Sequence, residues 1–243
     1  MRIRFRFRAI PFAATVLLVA LGVALGQWQD RRAAEKIALQ HKLAERGAAA
    51  PLALDAAPVD AAPLEYRRVA LRGAFVPGWP LFLDNRPQDG KVGFYLLMPF
   101  RIEGSDTHVL VARGWLPRNV AEHDKLPPFA TPAGTVAIEG IVKAGMGHIM
   151  QLGTAPPVKP GAILQNIDVA QFGAASGLKL QPFFIEQTGP AVAGDALVRA
   201  WPAPALGVEK HQGYAFQWYA LAVMAFLFFV ITGFRRGPKQ TDR

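Results

Sequence analysis

Hydrophobic positions in this chain are gathered at its two ends. The first uninterrupted run, Ile10 to Gly26 (IPFAATVLLVALGVALG), holds 17 residues and no charge. As a helix it covers about 25 Å, a little short of a hydrocarbon layer of roughly 30 Å. Phe5, Phe7 and Trp28 extend it into the two interfaces. The second run, Tyr214 to Phe234 (YAFQWYALAVMAFLFFVITGF), holds 21 residues, again uncharged. The two runs predict transmembrane helices over 10–28 and 211–234. A cleaved signal peptide competes for the first, because basic residues precede it and Ala24-Leu25-Gly26 resembles a cleavage site. The run is long for such a segment, however, and the chain after it continues in a helical pattern. A buried core helix competes for the second, against its length and lack of charge.

Between the runs the pattern changes twice. Gln29 to Arg46 (QDRRAAEKIALQHKLAER) is rich in helix formers and lacks Gly and Pro, predicting a helix over 29–47 that prolongs the first span and ends at Gly47. Residues 48–63 are an Ala/Pro-rich stretch, predicted as an extended linker of low complexity. A β-rich core is predicted over 64–205. Its candidate strands are Arg67–Arg72, Pro80–Asp84, Phe94–Arg101, Thr107–Ala112, Thr135–Val142 and Pro182–Gln187, separated by Gly, Pro and Asn/Asp turns. Asp168 to Ala175 predicts one short capped helix. The expected fold is a membrane protein whose two terminal transmembrane α-helices flank a mainly antiparallel β domain, barrel- or sandwich-like and of the α+β type, outside the bilayer.

Charge then orients the chain. The net charge of +9 suggests either nucleic acid or an anionic membrane. Most of the excess lies beside the spans, in Arg2, Arg4, Arg6 and Arg8 before the first and Arg235, Arg236, Lys239 and Arg243 after the second. No basic stripe with interleaved aromatics occurs in the middle domain, so a nucleic-acid partner is not expected. The outer flanks carry Arg31, Arg32, Lys36 and Lys42 after the first span and Arg199 and Lys210 before the second. The bias of eight against six favours both termini inside. Residues 1–9 and 235–243 are then cytoplasmic and 29–210 periplasmic, in a cell inner membrane. There is no cysteine, which excludes disulfides, thiolate catalysis and cysteine ligation of metals by this chain.

Catalytic constellations are absent from the pattern, and no enzyme is expected. The two serines, Ser105 and Ser176, lack a nucleophile-elbow context. Ser105, Asp106 and His108 are too close in one turn to assemble a triad. Of the five histidines, His41, His108, His123 and His148 are scattered without ligand spacing. His211 is different, because it lies three residues before the second apolar run. On a helix His211, Tyr214, Ala215 and Trp218 share one face, and Trp28 lies at the same depth. That surface is either an ordinary aromatic belt or a seat for a large planar ligand, with imidazole for its metal and rings for its face.

These residues also carry a resemblance. His211 to Tyr219 (HQGYAFQWY) and Gly26 to Lys36 (GQWQDRRAAEK) resemble the blocks that open the second span and follow the first in bacterial members of the SURF1 family of cytochrome c oxidase assembly factors. Arg68-Val69, Gly73, Phe75, Leu83-Asp84-Asn85-Arg86, Gly93-Phe94-Tyr95, Met98-Pro99 and Val109 to Pro117 (VLVARGWLP) follow in the family's order. Ala112, Met98 and Tyr219 depart from its commonest residues. The resemblance implies a helper in haem–copper oxidase biogenesis that binds haem a transiently, with His211 as iron ligand and Tyr214, Trp218 and Trp28 as neighbours. It implies oxidase subunit I as partner, with haem a synthase a further candidate and an oligomer open. A two-span scaffold for subunit I that binds no haem is the alternative. On a continuous first helix His41 lies 14 residues beyond Gln27, about 21 Å away, so a single histidine from this chain is expected at the iron. Arg86 is expected either to meet a haem propionate or to pair with a carboxylate inside the domain.

Overall fold

Why the chain's two ends become long helices is plain from their composition: helix is the one local structure that satisfies every backbone polar group within an apolar segment. The computed structural model describes residues 3–5, 7–122, 125–151, 153–189, 196–202 and 207–236. Arg2, Arg6, His123, Lys239 and Arg243 lie outside them. The elements are β1 (Ile3–Phe5), α1 (Ala9–Ala48), β2 (Leu52–Ala53), α2 (Ala61–Leu64), β3 (Arg68–Phe75), β4 (Leu81–Leu83), β5 (Gly93–Ile102), β6 (Thr107–Pro117), β7 (Val136–Lys143), β8 (Ile163–Leu164), α3 (Val169–Ser176), β9 (Lys179–Thr188), α4 (Val208–Gly233) and β10 (Phe234–Arg236). They form two compact units: residues 1–42 with 204–243, and residues 43–203.

The first unit is a helix pair. α1 and α4 are both long and apolar enough to cross a membrane. They run antiparallel, and β1 pairs with β10 across their shared end (Ile3 with Arg236, Phe5 with Phe234). The start of α1 and the end of α4 therefore lie at the same end of the pair. α1 is continuous over 40 residues. Pro11 is tolerated in its first turn, where its missing N–H has no helical partner anyway.

The second unit is a closed five-stranded barrel with added strands. Around the barrel the order is β3-β7-β9-β6-β5, and β5 closes on β3 through Gly73–Ile102, Ala74–Arg101 and Phe75–Phe100. The expected antiparallel pairing holds for β3–β7, β7–β9 and β5–β6, but β6 and β9 run parallel. Phe94, Leu96, Met98 and Phe100 fill the interior with Val109, Val111, Phe183 and Ile185. The alternate positions of the same strands, Tyr95, Leu97, Leu110 and Ala112, pack outward with β4 and α3. Burial on both faces explains why β5 and β6 read as nearly continuous apolar runs. α3 begins in a capping box: the Asp168 carboxylate accepts from the Gln171 N–H at 2.6 Å, and Gly177 ends the helix in a left-handed conformation.

Residues 48–63, expected as an extended linker, are held against the barrel. They contain β2, which pairs in parallel with β3, and the start of α2, capped by Asp60. Leu54 is buried in the barrel core. The amide of Gln181, itself buried, donates to the Ala57 carbonyl at 2.7 Å and accepts from the Val59 N–H at 3.2 Å. A low-complexity segment is thus fixed by one polar side chain more than 120 positions away.

Candidate functional site

Small residues set the closeness of the helix pair. Gly22 and Gly26 sit one turn apart on α1. A Cβ on Gly22 would stand 2.9 Å from the Ala222 Cβ and 3.0 Å from the Trp218 carbonyl oxygen; one on Gly26 would meet the Tyr219 ring at 2.5 Å. Ala33 on α1 and Ala215 and Ala222 on α4 are buried as well. Close approach of this kind lets backbones pack where no hydrophobic force drives helices together.

That packing brings Gln29 to His211. The His211 Nδ1 and the Gln29 Oε1 are 2.7 Å apart. The amide oxygen is an acceptor, so Nδ1 carries the proton and donates. The lone pair then resides on Nε2, the tautomer a metal needs from an imidazole. About two turns further along α4, the Tyr219 hydroxyl donates to the Asp30 carboxylate at 2.7 Å. Gln29 and Asp30 were not singled out from the sequence, although Gln29 stands in the Gly-Gln-Trp-Gln block that carries the resemblance. Their signal is two adjacent polar residues at the mouth of an apolar helix.

The other expected site residues do not all gather on the imidazole. Ala215 is consumed in the helix contact. Tyr214 is 53% exposed and Trp28 44% exposed, and the Arg32 guanidinium lies over the Trp28 ring at 5.9 Å. Trp218 is partly buried and lines an apolar groove of about 630 Å3 between the helices, with Leu21, Gly22, Leu221, Ala225 and Phe228. Tyr214 lies seven residues before Leu221, and Trp28 seven after Leu21, so each shares a helix face with a groove residue.

In the barrel two arginines of the resemblance, Arg86 and Arg113, are internal. On β5 Leu96 and Leu97 pair with Gly114 and Ala112, which leaves Arg113 as the extra residue of a bulge. The bulge turns Arg113 inward. Its guanidinium is buried, donates to the Ala130 carbonyl at 2.8 Å and stacks 4.6 Å from the Phe75 ring centre. Gly114 follows because a Cβ there would stand 2.8 Å from the Leu197 Cβ. The Trp115 indole donates to the Arg86 carbonyl at 2.7 Å. Arg86 has the buried, structural place that one reading gave it, with carbonyls in place of the expected carboxylate. It is buried and donates to the carbonyls of Gln165 (3.1 Å) and Gly147 (3.4 Å), with no hydrogen bond to a carboxylate among the described residues. Burial lowers its pKa, with Tyr95 and Asp84 opposing. Asp84 is held instead by Arg118 through both oxygens, at 3.1 and 3.2 Å.

The remaining polar candidates are structural. The Ser105 hydroxyl donates to the Ile102 carbonyl and accepts from the Thr107 N–H, and the His108 Nδ1 faces the Lys179 carbonyl at 3.3 Å, so no triad forms. Ser176 donates to the Phe172 carbonyl. His41 is exposed on α1, and His148 lines a surface cleft beside Asn166 and Gln171. Among the described residues no three His, Asp or Glu side chains converge as a metal site. Glu186 sits 3.6 Å from the Lys143 ammonium, and burial raises its pKa against the pull of that charge.

Known proteins can now be set beside this geometry. The chain is 28% identical over 234 residues to a SURF1-like protein of Monosiga brevicollis, covering 89% of this chain and 85% of that one. It is 27% identical over 232 residues to a SURF1-like protein of Drosophila melanogaster, covering 88% and 75%. An uncharacterized SURF1-like protein of Mycobacterium tuberculosis is 26% identical over 163 residues, covering 66% and 57%. The model of the SURF1 family matches residues 16–223, a span that takes in most of both helices, the whole barrel and the His211–Gln29 pair, and on that match the chain belongs to the SURF1 family.

Proposed function

We propose that this protein is a non-enzymatic, membrane-anchored assembly factor for a haem–copper oxidase, which carries haem a on His211 and assists its insertion into oxidase subunit I. The observation that supports the reading best is the 2.7 Å contact of His211 with Gln29. With the Gln29 amide oxygen as acceptor, the contact favours the proton on Nδ1, which would free Nε2 to serve as the proposed ligand atom. The residues fit such a group: one imidazole at the end of an apolar pair, with the rings of Trp28, Tyr214 and Trp218 on the adjoining faces. The bound iron would supply no chemistry beyond a coordination bond that can be made and broken.

His211 is the sole ligand this chain is proposed to offer. α1 continues unbroken through His41, which stands 12 residues beyond Gln29 and about 18 Å along the axis. A second axial position left to a partner suits a cargo that must be released. The helix pair is proposed to lie in the cell inner membrane with both termini cytoplasmic and the barrel periplasmic, from the Lys and Arg bias at its ends. Subunit I is the proposed recipient, and haem a synthase the proposed donor.

The test is to co-express the chain with haem a synthesis, purify it, and compare its visible spectrum with that of His211→Ala. Haem in the parent and not in the variant supports carriage on His211. Apoprotein in both overturns carriage and leaves the scaffold reading, which the large exposed aromatics of α4, Phe216 and Phe228, favour as a surface for a partner's helices. Equal haem in both overturns the ligand assignment.

A further inference from the structure

The helix-pair groove continues from the site just described into the apolar depth of the pair. Trp218 belongs to both. On α4, Tyr214, Trp218, Leu221, Ala225 and Phe228 follow at intervals of four and three, so they form one stripe down one face. On α1, Trp28 and Leu21 share a face. In an antiparallel pair these two faces border the same groove, with the rings at its mouth and aliphatic side chains below. Gly22 lines its floor, where the two helices touch. From Trp218 to Phe228 the groove runs about 15 Å along the axis.

Resting on the haem reading above, the geometry points to a second subsite: the groove holds the long isoprenoid chain that distinguishes haem a from haem b. A ligand with a flat metal-bearing head and one apolar chain matches a site with an imidazole and rings at the mouth and an apolar trough leading from it. The groove carries no charged residue along its lining, so it selects for the chain by contact and shape. Lipid tails compete for the same space, which keeps the expected preference moderate.

The full chain in lipid nanodiscs is titrated with haem b and with haem o, which has the isoprenoid chain and lacks the formyl group of haem a, following the Soret band. Haem o is expected to bind about tenfold more tightly than haem b, through the added contacts of its chain. Ala225→Phe fills the groove and is expected to erase that preference while haem b binds as before. Equal affinities in the parent, or a preference that survives Ala225→Phe, overturn the subsite and assign the groove to lipid or to a helix of another chain. If haem o and haem b both fail to bind the parent, the haem reading itself falls, and the subsite with it. If both bind the parent equally, that reading stands and only the subsite is lost.

Discussion

The barrel and the helix pair use polar residues in opposite ways. In the barrel they are turned inward and spent on the fold. Arg113 holds the Ala130 carbonyl, Arg86 holds those of Gln165 and Gly147, and Gln181 clasps the chain at Ala57 and Val59. In the helix pair there are few polar contacts between the helices, and they cluster at one end, His211 on Gln29 and Tyr219 on Asp30. The barrel's motif residues thus explain its architecture, whereas the pair holds the proposed ligand, His211, by its Nδ1 side. Prominence in a motif therefore says little about ligand binding until the partners of each side chain are known.

Breaking the barrel alone should have the largest effect. Arg113→Ala leaves a void beside Phe75 and a carbonyl without its donor, and is expected to destabilise the protein by about 3 kcal/mol. Unfolding in denaturant, followed by barrel tryptophan fluorescence, measures this. The fraction that stays folded should keep its haem spectrum. A variant that is fully stable but lacks haem would reverse the contrast and make Arg113 part of the site.

Breaking the pair alone comes next. Gly22→Leu drives a side chain against the Ala222 Cβ and the Trp218 carbonyl, and overpacking of this kind costs about 2 kcal/mol. The chain has no cysteine of its own, so Gln29→Cys with His211→Cys reports the pair by disulfide formation. Gly22→Leu should suppress that cross-link and leave barrel unfolding unchanged. A milder probe is Gln29→Leu, which removes the group that orients His211. It is expected to weaken haem binding about tenfold, the usual cost of losing an outer-shell partner of a metal ligand. Unchanged binding would mean that the imidazole needs no orienting.

Much of this was legible in the sequence. The two helices, six strands and the capped helix at Asp168 all follow from apolar period and turn residues, because those signals are local. The parallel pairing of β6 with β9 was not, since nothing in either strand names its neighbour. Residues 48–63 read as a linker because the group that pins them, Gln181, is remote in sequence. His211 was legible as a position, at the mouth of an apolar run. Its partner was not, because the choice of Gln29 over Trp28 depends on the rotation of α1, which Gly22 and Gly26 decide by where they let the helices touch.

The smallest expected effect sharpens the contrast from the barrel side. Glu186 on β9 is mostly buried, and Lys143 faces it at 3.6 Å with its ammonium 5.1 Å from the Tyr66 ring centre. Burial raises the Glu186 pKa above the usual 4.5 more than Lys143 lowers it. The folded state therefore binds the proton more tightly than the unfolded state. Stability from this group is full in acid and is lost as pH rises from about 4.5 through the folded pKa. Glu186→Gln keeps the shape and cannot ionise. Stability of parent and variant, measured by denaturant unfolding across pH 4 to 8, should run together in acid and separate as pH rises, the parent losing stability relative to the variant. If the parent instead gains on the variant with rising pH, the Lys143 pair outweighs its burial. The barrel would then hold a stabilising ion pair, and polar groups turned inward would do more for this fold than satisfy one another.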